Sequence, residues 1–265
     1  MPVTILFIGD VVGRPGRRVV RELLPGLVDR HRIDLVVANG ENASGGIGLS
    51  PKGAEELLAA GVQVLTSGNH IWKKKEIVPY IEDSAELIRP ANYPAGVPGA
   101  GATIKETAAG IPVAVLNLMG RTFMEAVECP FRKAEAEVER LKALTPILLI
   151  DFHAEATSEK MALGWFLDGK ASAVLGTHTH IQTSDERILP GGTAYLTDAG
   201  MTGPADSVIG VKKEIAIERF LTQMPHKFEV AKKDLVLEAA LVTVDENSGR
   251  ASAIRRLRER LPVLS

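Results

Sequence analysis

The stretch VTILFIG, residues 3–9, is apolar but for Thr4 and rich in β-branched side chains. A strand with one wet face alternates apolar and polar residues, whereas an uninterrupted apolar run must be covered on both faces. Runs of this kind recur as DLVVAN (34–39), VQVLTS (62–67), PVAVLNLMG (112–120), TPILLIDFH (145–153) and SAVLG (172–176). Segments with helical spacing lie between them. RRVVRELLPGLVDRHR (17–32) is expected to kink at Pro25. SPKGAEELLAAG (50–61) opens with Ser50 as N-cap and Pro51 at the first helical position, and stops at Gly61. Further helices are expected over 133–143 and around 157–167. The alternation predicts an α/β fold with a doubly wound parallel pattern. DLVLEAALVTVD and RASAIRRLRER in the tail predict a closing hairpin, and the Pro/Gly-rich stretch 89–101 predicts a long surface loop.

Composition narrows the function classes. The chain has 265 residues, 45% of them hydrophobic, enough for a substantial core. Its 31 basic and 33 acidic residues balance to a net charge of −2, which gives no general case for nucleic-acid or membrane binding. Cys129 is the single cysteine, so no internal disulfide can form. MPVTILFIGD lacks a basic leader and reads as a first strand, not a signal peptide. No window approaches about 18 uninterrupted apolar residues, so no membrane span is expected. A soluble, intracellular protein is expected, and a homo-oligomer is compatible with the sequence.

Each apolar run ends in residues capable of chemistry. The first ends at Gly9-Asp10, the second in NGEN with Glu41 and Asn42, the third in SGNH with Asn69 and His70. Later runs end in DFH, with Asp151 and His153, and in GTHTH, with His178 and His180. Strand ends of an open parallel sheet share one edge, where ligands bind. Taken singly, each residue has a structural use: Asp10 as a helix cap, Glu41 and Asn42 as turn residues, His153 as a core histidine. Gathered at five strand ends, they point to one metal-capable site. His178 and His180, spaced by two, are expected on one face of an extended segment.

These residues carry a resemblance. GD (9–10), GEN (40–42), GNH (68–70), His153 and THTH (177–180) stand in the order of the calcineurin-like metallophosphoesterase blocks. The first block departs from the usual Asp-x-His, reading Asp10-Val11-Val12; Glu41 replaces the usual Asp; Thr177 precedes His178. IGDVVGRPGR, NGENASGGIGLS, TSGNHIW, RPANYP and TDAGMTGP resemble the YmdB-type branch closely and cover nearly the whole chain. The resemblance implies one metallophosphoesterase domain over 1–265, with a layered β-sheet core flanked by helices, a mixed sheet and a C-terminal hairpin. It also implies a bacterial, cytoplasmic enzyme acting on cyclic nucleotides, notably 2′,3′-cyclic ones, at a two-metal centre.

Roles follow by carry-over. Glu41 is expected to bridge the ions, Asp10 and His180 to hold the first, with Asn42 in the place of the histidine missing at Val12. Asn69, His153 and His178 are expected to hold the second. Nitrogen and oxygen donors without thiolate suit Fe, Mn, Zn or Co, and the resemblance favours iron. Two cations roughly 3.5–4 Å apart lower the pKa of a shared water and neutralise phosphate oxygens. The implied reaction is attack of that bridging hydroxide on the phosphodiester, with His70 as general acid on the leaving oxygen. A phosphomonoesterase or nucleotidase, or a nucleotide-sensing regulator with weak hydrolysis, would use the same residues. Asp151 is a candidate for orienting a ligand. Arg14, in GRPGRR, is either a substrate contact or solvated, and Asn92 and Tyr93 are candidates for a base pocket. Lys73, Lys74 and Lys75 read as an exposed helix face, Cys129 shows no nucleophile context, and His31 and His226 lie outside every block.

Overall fold

The computed structural model describes residues 2–262. Its centre is two sheets stacked face to face. In the first, β1 (Pro2–Ile8), β3 (Leu35–Asn39) and β4 (Val64–Thr66) run parallel. β12 (Leu235–Asp245) lies antiparallel beside β1, and β13 (Ala251–Arg260) pairs with β12 to complete the expected hairpin. β2 (Asp10–Val11) and β11 (Met201–Pro204) extend this sheet. In the second, β6 (Pro112–Met119), β7 (Ile147–His153), β8 (Ala173–Thr177) and β10 (Ala194–Leu196) are parallel, with β5 (Ala102–Glu106) and β9 (Arg187–Ile188) as antiparallel edges.

Period-two geometry explains why the runs are apolar throughout. Val3, Ile5 and Phe7 face the second sheet, packing with Leu35, Val37, Val113, Val115, Ile147 and Leu149. Leu6 and Ile8 face outward against α1 (Gly13–His31) and α2 (Pro51–Ala59). The outer face of the second sheet is covered by α4 (Pro130–Lys142) and α5 (Thr157–Phe166). Each such buried side chain contributes about 1.5–3 kcal/mol relative to exposure. The doubly wound expectation is therefore corrected. Each sheet has helices on one face only, and its other face is covered by the other sheet. A continuous apolar run demands two covers but does not say what they are.

Ser50 caps α2 through the Gly53 amide, as expected. Helix α1 continues through Pro25 to a left-handed Arg32, despite the donor that proline lacks. The helix α3 (Ile77–Asp83) leads into the 89–101 loop, and α6 (Lys213–Thr222) precedes the hairpin. No helix among the described residues is long and apolar enough to cross a membrane.

Candidate metal centre

The parallel strands of both sheets end at one edge, and the polar residues meet there. Asn39 at the end of β3 donates to Asp151 Oδ2 on β7 at 3.0 Å, tying the two sheets together beneath the site. Asp10, Asn39, Glu41, Thr66, Asn117, Asp151, His153 and Thr177 are all fully buried. Most of them continue the inward-facing series of their strands: Leu35, Val37, Asn39; Val64, Thr66; Val113, Val115, Asn117; Leu149, Asp151, His153; Leu175, Thr177. Each series turns polar at its last members. That switch was visible in the sequence as a period-two pattern, yet among these only Asp151 and His153 stood out as candidates.

Hydrogen bonds to fixed acceptors place a proton on Nδ1 of two histidines, His153 and His180. Asp151 accepts from Thr66 Oγ1, from Asn39 Nδ2 and, at 2.7 Å, from Thr177 Oγ1. The Thr177 hydroxyl proton is thereby used, so at 2.9 Å its oxygen accepts from His153 Nδ1–H. His153 Nε2 then faces inward, 3.1 Å from Asn69 Oδ1 and 3.3 Å from Glu41 Oε1, and offers a lone pair once its proton leaves. His178 Nε2 lies 3.2 Å from Glu155 Oε2, and its Nδ1 faces His153 Nε2 at 3.0 Å. His180 Nδ1–H donates to the Ile209 carbonyl at 3.1 Å, leaving Nε2 at 3.6 Å from Asp10 Oδ1. The two nitrogens share a proton in the metal-free protein, and a cation displacing it would take both as ligands. The buried Asp10 Oδ1 has no hydrogen-bond partner. The donor set therefore fits metal ions. Glu41, His153 and His178 place ligand atoms within 4.8 Å of one another.

Electrostatics agree. Burial disfavours the Glu41 carboxylate, but His153 and His70 beside it hold its pKa well below the usual range. Burial likewise opposes charge on Asp10, and His180 brings its pKa down. His180, disfavoured as a cation by burial, is lifted to about 9 by Asp10. Burial and the adjacent His153 push His178 down to about 3. Without metal, the carboxylates recruit protons onto His153 and His180; ligation requires those protons to leave.

The two histidines of GTHTH do not lie on an extended segment. Strand β8 stops at Thr177, and His178 (φ +98°) and His180 (φ +64°) adopt left-handed conformations that cost non-glycine residues energy. A turn, not period two, aims both rings inward. Asp198 holds that turn by accepting from Thr179 N at 3.2 Å and Thr179 Oγ1 at 2.7 Å, so Thr179 faces the scaffold. The His178 amide donates to Asp10 Oδ2 at 3.0 Å.

The remaining expected residues are placed as follows. Asn69 joins His153 and His178. Asn42 lies between the groups: Nδ2 donates to Glu41 Oε1 at 3.0 Å and lies 3.2 Å from His180 Nε2, while Oδ1 is 2.8 Å from His70 Nδ1. A half-turn of the amide would aim its oxygen at His180 and Glu41 instead. His70 is partly exposed, its amide donating to Glu41 Oε2 at 3.0 Å. Gly68 makes room for them, since a Cβ there would collide with His153 and Glu41. Asn92 does not line a base pocket: it is buried, its amide group bonded to the Met119 and Glu128 carbonyls and its oxygen to the Met119 amide. Tyr93 stacks edge-on against Trp72, which lies two residues from His70. His31 and His226 are half-buried and apart from the site. Glu155, Asp198 and the Ile209 carbonyl escaped the sequence reading; Glu155, two residues beyond His153, had the clearest signal.

Thr177 is a direct test of the tautomer scheme. Thr177→Val keeps the shape and removes the acceptor for His153 Nδ1. Metal affinity, measured by competition with a chromogenic chelator, is expected to fall about 10–100-fold with the fold retained.

Comparisons with known proteins agree with this geometry. A family model described as YmdB-like protein matches residues 6–257. A Bacillus subtilis (strain 168) protein named 2′,3′-cyclic-nucleotide 2′-phosphodiesterase is 49% identical over 253 residues, 96% of each chain. A crystal structure of a hypothetical protein from Thermus thermophilus superposes with a TM-score of 0.92 at 44% identity, covering 98% of this chain and all of that one. A Mycoplasma pneumoniae structure titled a novel phosphatase gives 0.91 at 34% identity, covering 98% and 94%. With its fold and nearly its full length matched, the chain belongs to the YmdB-like family.

Proposed function

We propose that the chain is a phosphodiesterase that opens 2′,3′-cyclic nucleotides with two bound transition-metal ions, iron favoured over manganese, zinc or cobalt. The observation that carries this reading is the set of inward-facing ring nitrogens and carboxylates. His153 and His180 are fixed from outside through Nδ1, so that Nε2 meets Glu41 and Asn69 or Asp10, and His178 Nδ1 faces His153 Nε2. Asp10, His180 and Asn42 would hold one ion and Asn69, His153 and His178 the other, with Glu41 shared. Bound there, the ions would supply Lewis acidity toward phosphate oxygens and an activated water.

The chain's own residues do the rest. His70 is held by its amide and by Nδ1, so Nε2 is left to face substrate. It delivers a proton to the leaving 2′ oxygen as a water oxygen bonds to phosphorus and the P–O2′ bond breaks. The product is the 3′-monophosphate. The protein acts as a single domain, in the bacterial cytoplasm, where RNA is turned over.

With Mn²⁺ or Fe²⁺ loaded, 2′,3′-cAMP is expected to be converted to 3′-AMP, 3′,5′-cAMP more slowly, and His70→Ala to lower kcat about 10²–10⁴-fold. Turnover of 2′,3′-cAMP no faster than that variant's would sink the reading. A relative titled a phosphatase makes bis-p-nitrophenyl phosphate against p-nitrophenyl phosphate a useful comparison; preference for the monoester would assign a phosphomonoesterase instead.

A further inference from the structure

The chain's net charge of −2 hides a strongly basic region. Helix α1 carries Arg14, Arg17, Arg18 and Arg21, spaced so that they share one face over about 10 Å. With Lys52 and Glu56 on α2, they line a cleft of about 690 Å³. A second cleft of about 610 Å³ continues from Arg14 and Arg17 past Ser44, Ser50, Lys74, Phe228 and Lys232. Together the two clefts present seven cationic side chains against the carboxylates of Glu56, Glu76 and Glu229. Arg17 pairs with Glu56, and Arg18 and Arg21 with Glu22. Among the described residues, Arg14, Lys52, Lys74 and Lys232 form no ion pair with a carboxylate. Like charges this dense are costly to hold together unless an anion is meant to join them.

The second cleft borders the loop that carries Glu41 and Asn42. The amide of Gly13, which opens α1, donates to the Asn42 carbonyl at 2.9 Å, and the Arg17 guanidinium donates to the Ala43 carbonyl. The same loop thus turns Glu41 and Asn42 inward and Ser44 and Ser50 toward the cleft. Lys74, packed on Gly48 of that loop, follows four residues after His70.

A cyclic mononucleotide has one phosphate and gives such a track nothing to bind. A 2′,3′-cyclic phosphate also forms at the 3′ end of an RNA strand, when a 2′-hydroxyl displaces the next nucleotide. Every residue upstream of that end carries a further phosphate. We propose that the basic clefts hold the single-stranded RNA leading to such an end, so that the substrate class includes oligoribonucleotides and the reaction that supplies them is RNA cleavage by 2′-hydroxyl attack. Phosphates would contact the α1 arginines, with the exposed Phe228 beside them as a surface for a base. The proposal rests on the phosphodiesterase reading, but its binding part can be tested apart from it.

The test compares a fluorescent ten-nucleotide RNA ending in 2′,3′-cyclic phosphate with 2′,3′-cAMP, using wild type and Arg21→Glu/Lys52→Glu. Both replaced side chains are exposed, so the fold is retained. The variant is expected to raise KM for the oligonucleotide at least tenfold and to leave kcat/KM for 2′,3′-cAMP within twofold. Anisotropy with the same RNA ending in an open 3′-phosphate measures binding without turnover. Its log Kd should rise with log salt by about 0.7 for each phosphate held. If 2′,3′-cAMP is not hydrolysed yet this binding and its loss in the variant are seen, the activity reading fails and the RNA cleft stands. Equal effects on both substrates, no salt dependence, or an altered oligomeric state with unchanged RNA affinity would each overturn the proposal.

Discussion

Glu41→Gln is expected to lower kcat on 2′,3′-cAMP by about 10³-fold or more while leaving the protein folded. Glu41 is the carboxylate that touches both halves of the site. Its Oε1 lies 3.0 Å from Asn42 Nδ2, 3.2 Å from His70 Nδ1 and 3.3 Å from His153 Nε2. Its Oε2 accepts the His70 amide. Glutamine keeps the volume but loses the charge, and its amide group has to face other donors. Losing a charge that two cations would share removes several kcal/mol of transition-state stabilisation, and about 4 kcal/mol is a 10³-fold loss. Steady-state kinetics at saturating metal, with a melting curve as the folding control, checks this. A loss below tenfold would show that Glu41 bridges nothing.

Lys160→Met is expected to give a large stability loss although it lies away from the proposed metal ligands. Lys160 is 1% exposed, and its Nζ lies 2.8 Å from Oδ2 of the fully buried Asp198. Removing the cation strands a carboxylate in the interior, at a cost of about 3–5 kcal/mol. The effect reaches the site, because the same Oδ2 grips Thr179 while Oδ1 accepts the Gly200 amide at 2.8 Å. The turn bearing His178 and His180 should loosen, and metal affinity should fall about 10–100-fold. Lys160→Met/Asp198→Asn removes both charges and keeps one oxygen acceptor for Thr179 while losing the Gly200 bond, so it is expected to recover part of the lost stability. Urea unfolding of the metal-free protein separates these cases. A single variant within about 1 kcal/mol of wild type would mean the pair holds nothing in place.

What could be read from the sequence followed from how local its cause was. β1, β3, β6 and β7 were legible because burial on both faces keeps their bodies almost wholly apolar until the strand ends. β2, β9 and β10 are two or three residues long and exist by pairing with distant strands, so no local pattern marks them. Nor could periodicity tell a second sheet from a second helix layer. All of the expected ligand residues lie at the common edge, since a strand end fixes where its next residues go. The turn at His178 and His180 was misread because left-handed backbone depends on Asp10 and Asp198, far away in the chain. The groups that orient the histidines were hard to see for a related reason. Thr177 and Glu155 are ordinary residue types, and the Ile209 carbonyl belongs to no residue type at all. The basic clefts were hidden by a balanced total charge, which says nothing about where the charges sit.

The central claim is that inward-facing donors hold two metal ions, and elemental analysis of protein purified without chelators tests it most directly. Two transition-metal ions per chain are predicted. No bound transition metal, after growth in metal-replete medium and brief exposure to Fe²⁺ or Mn²⁺, would contradict it.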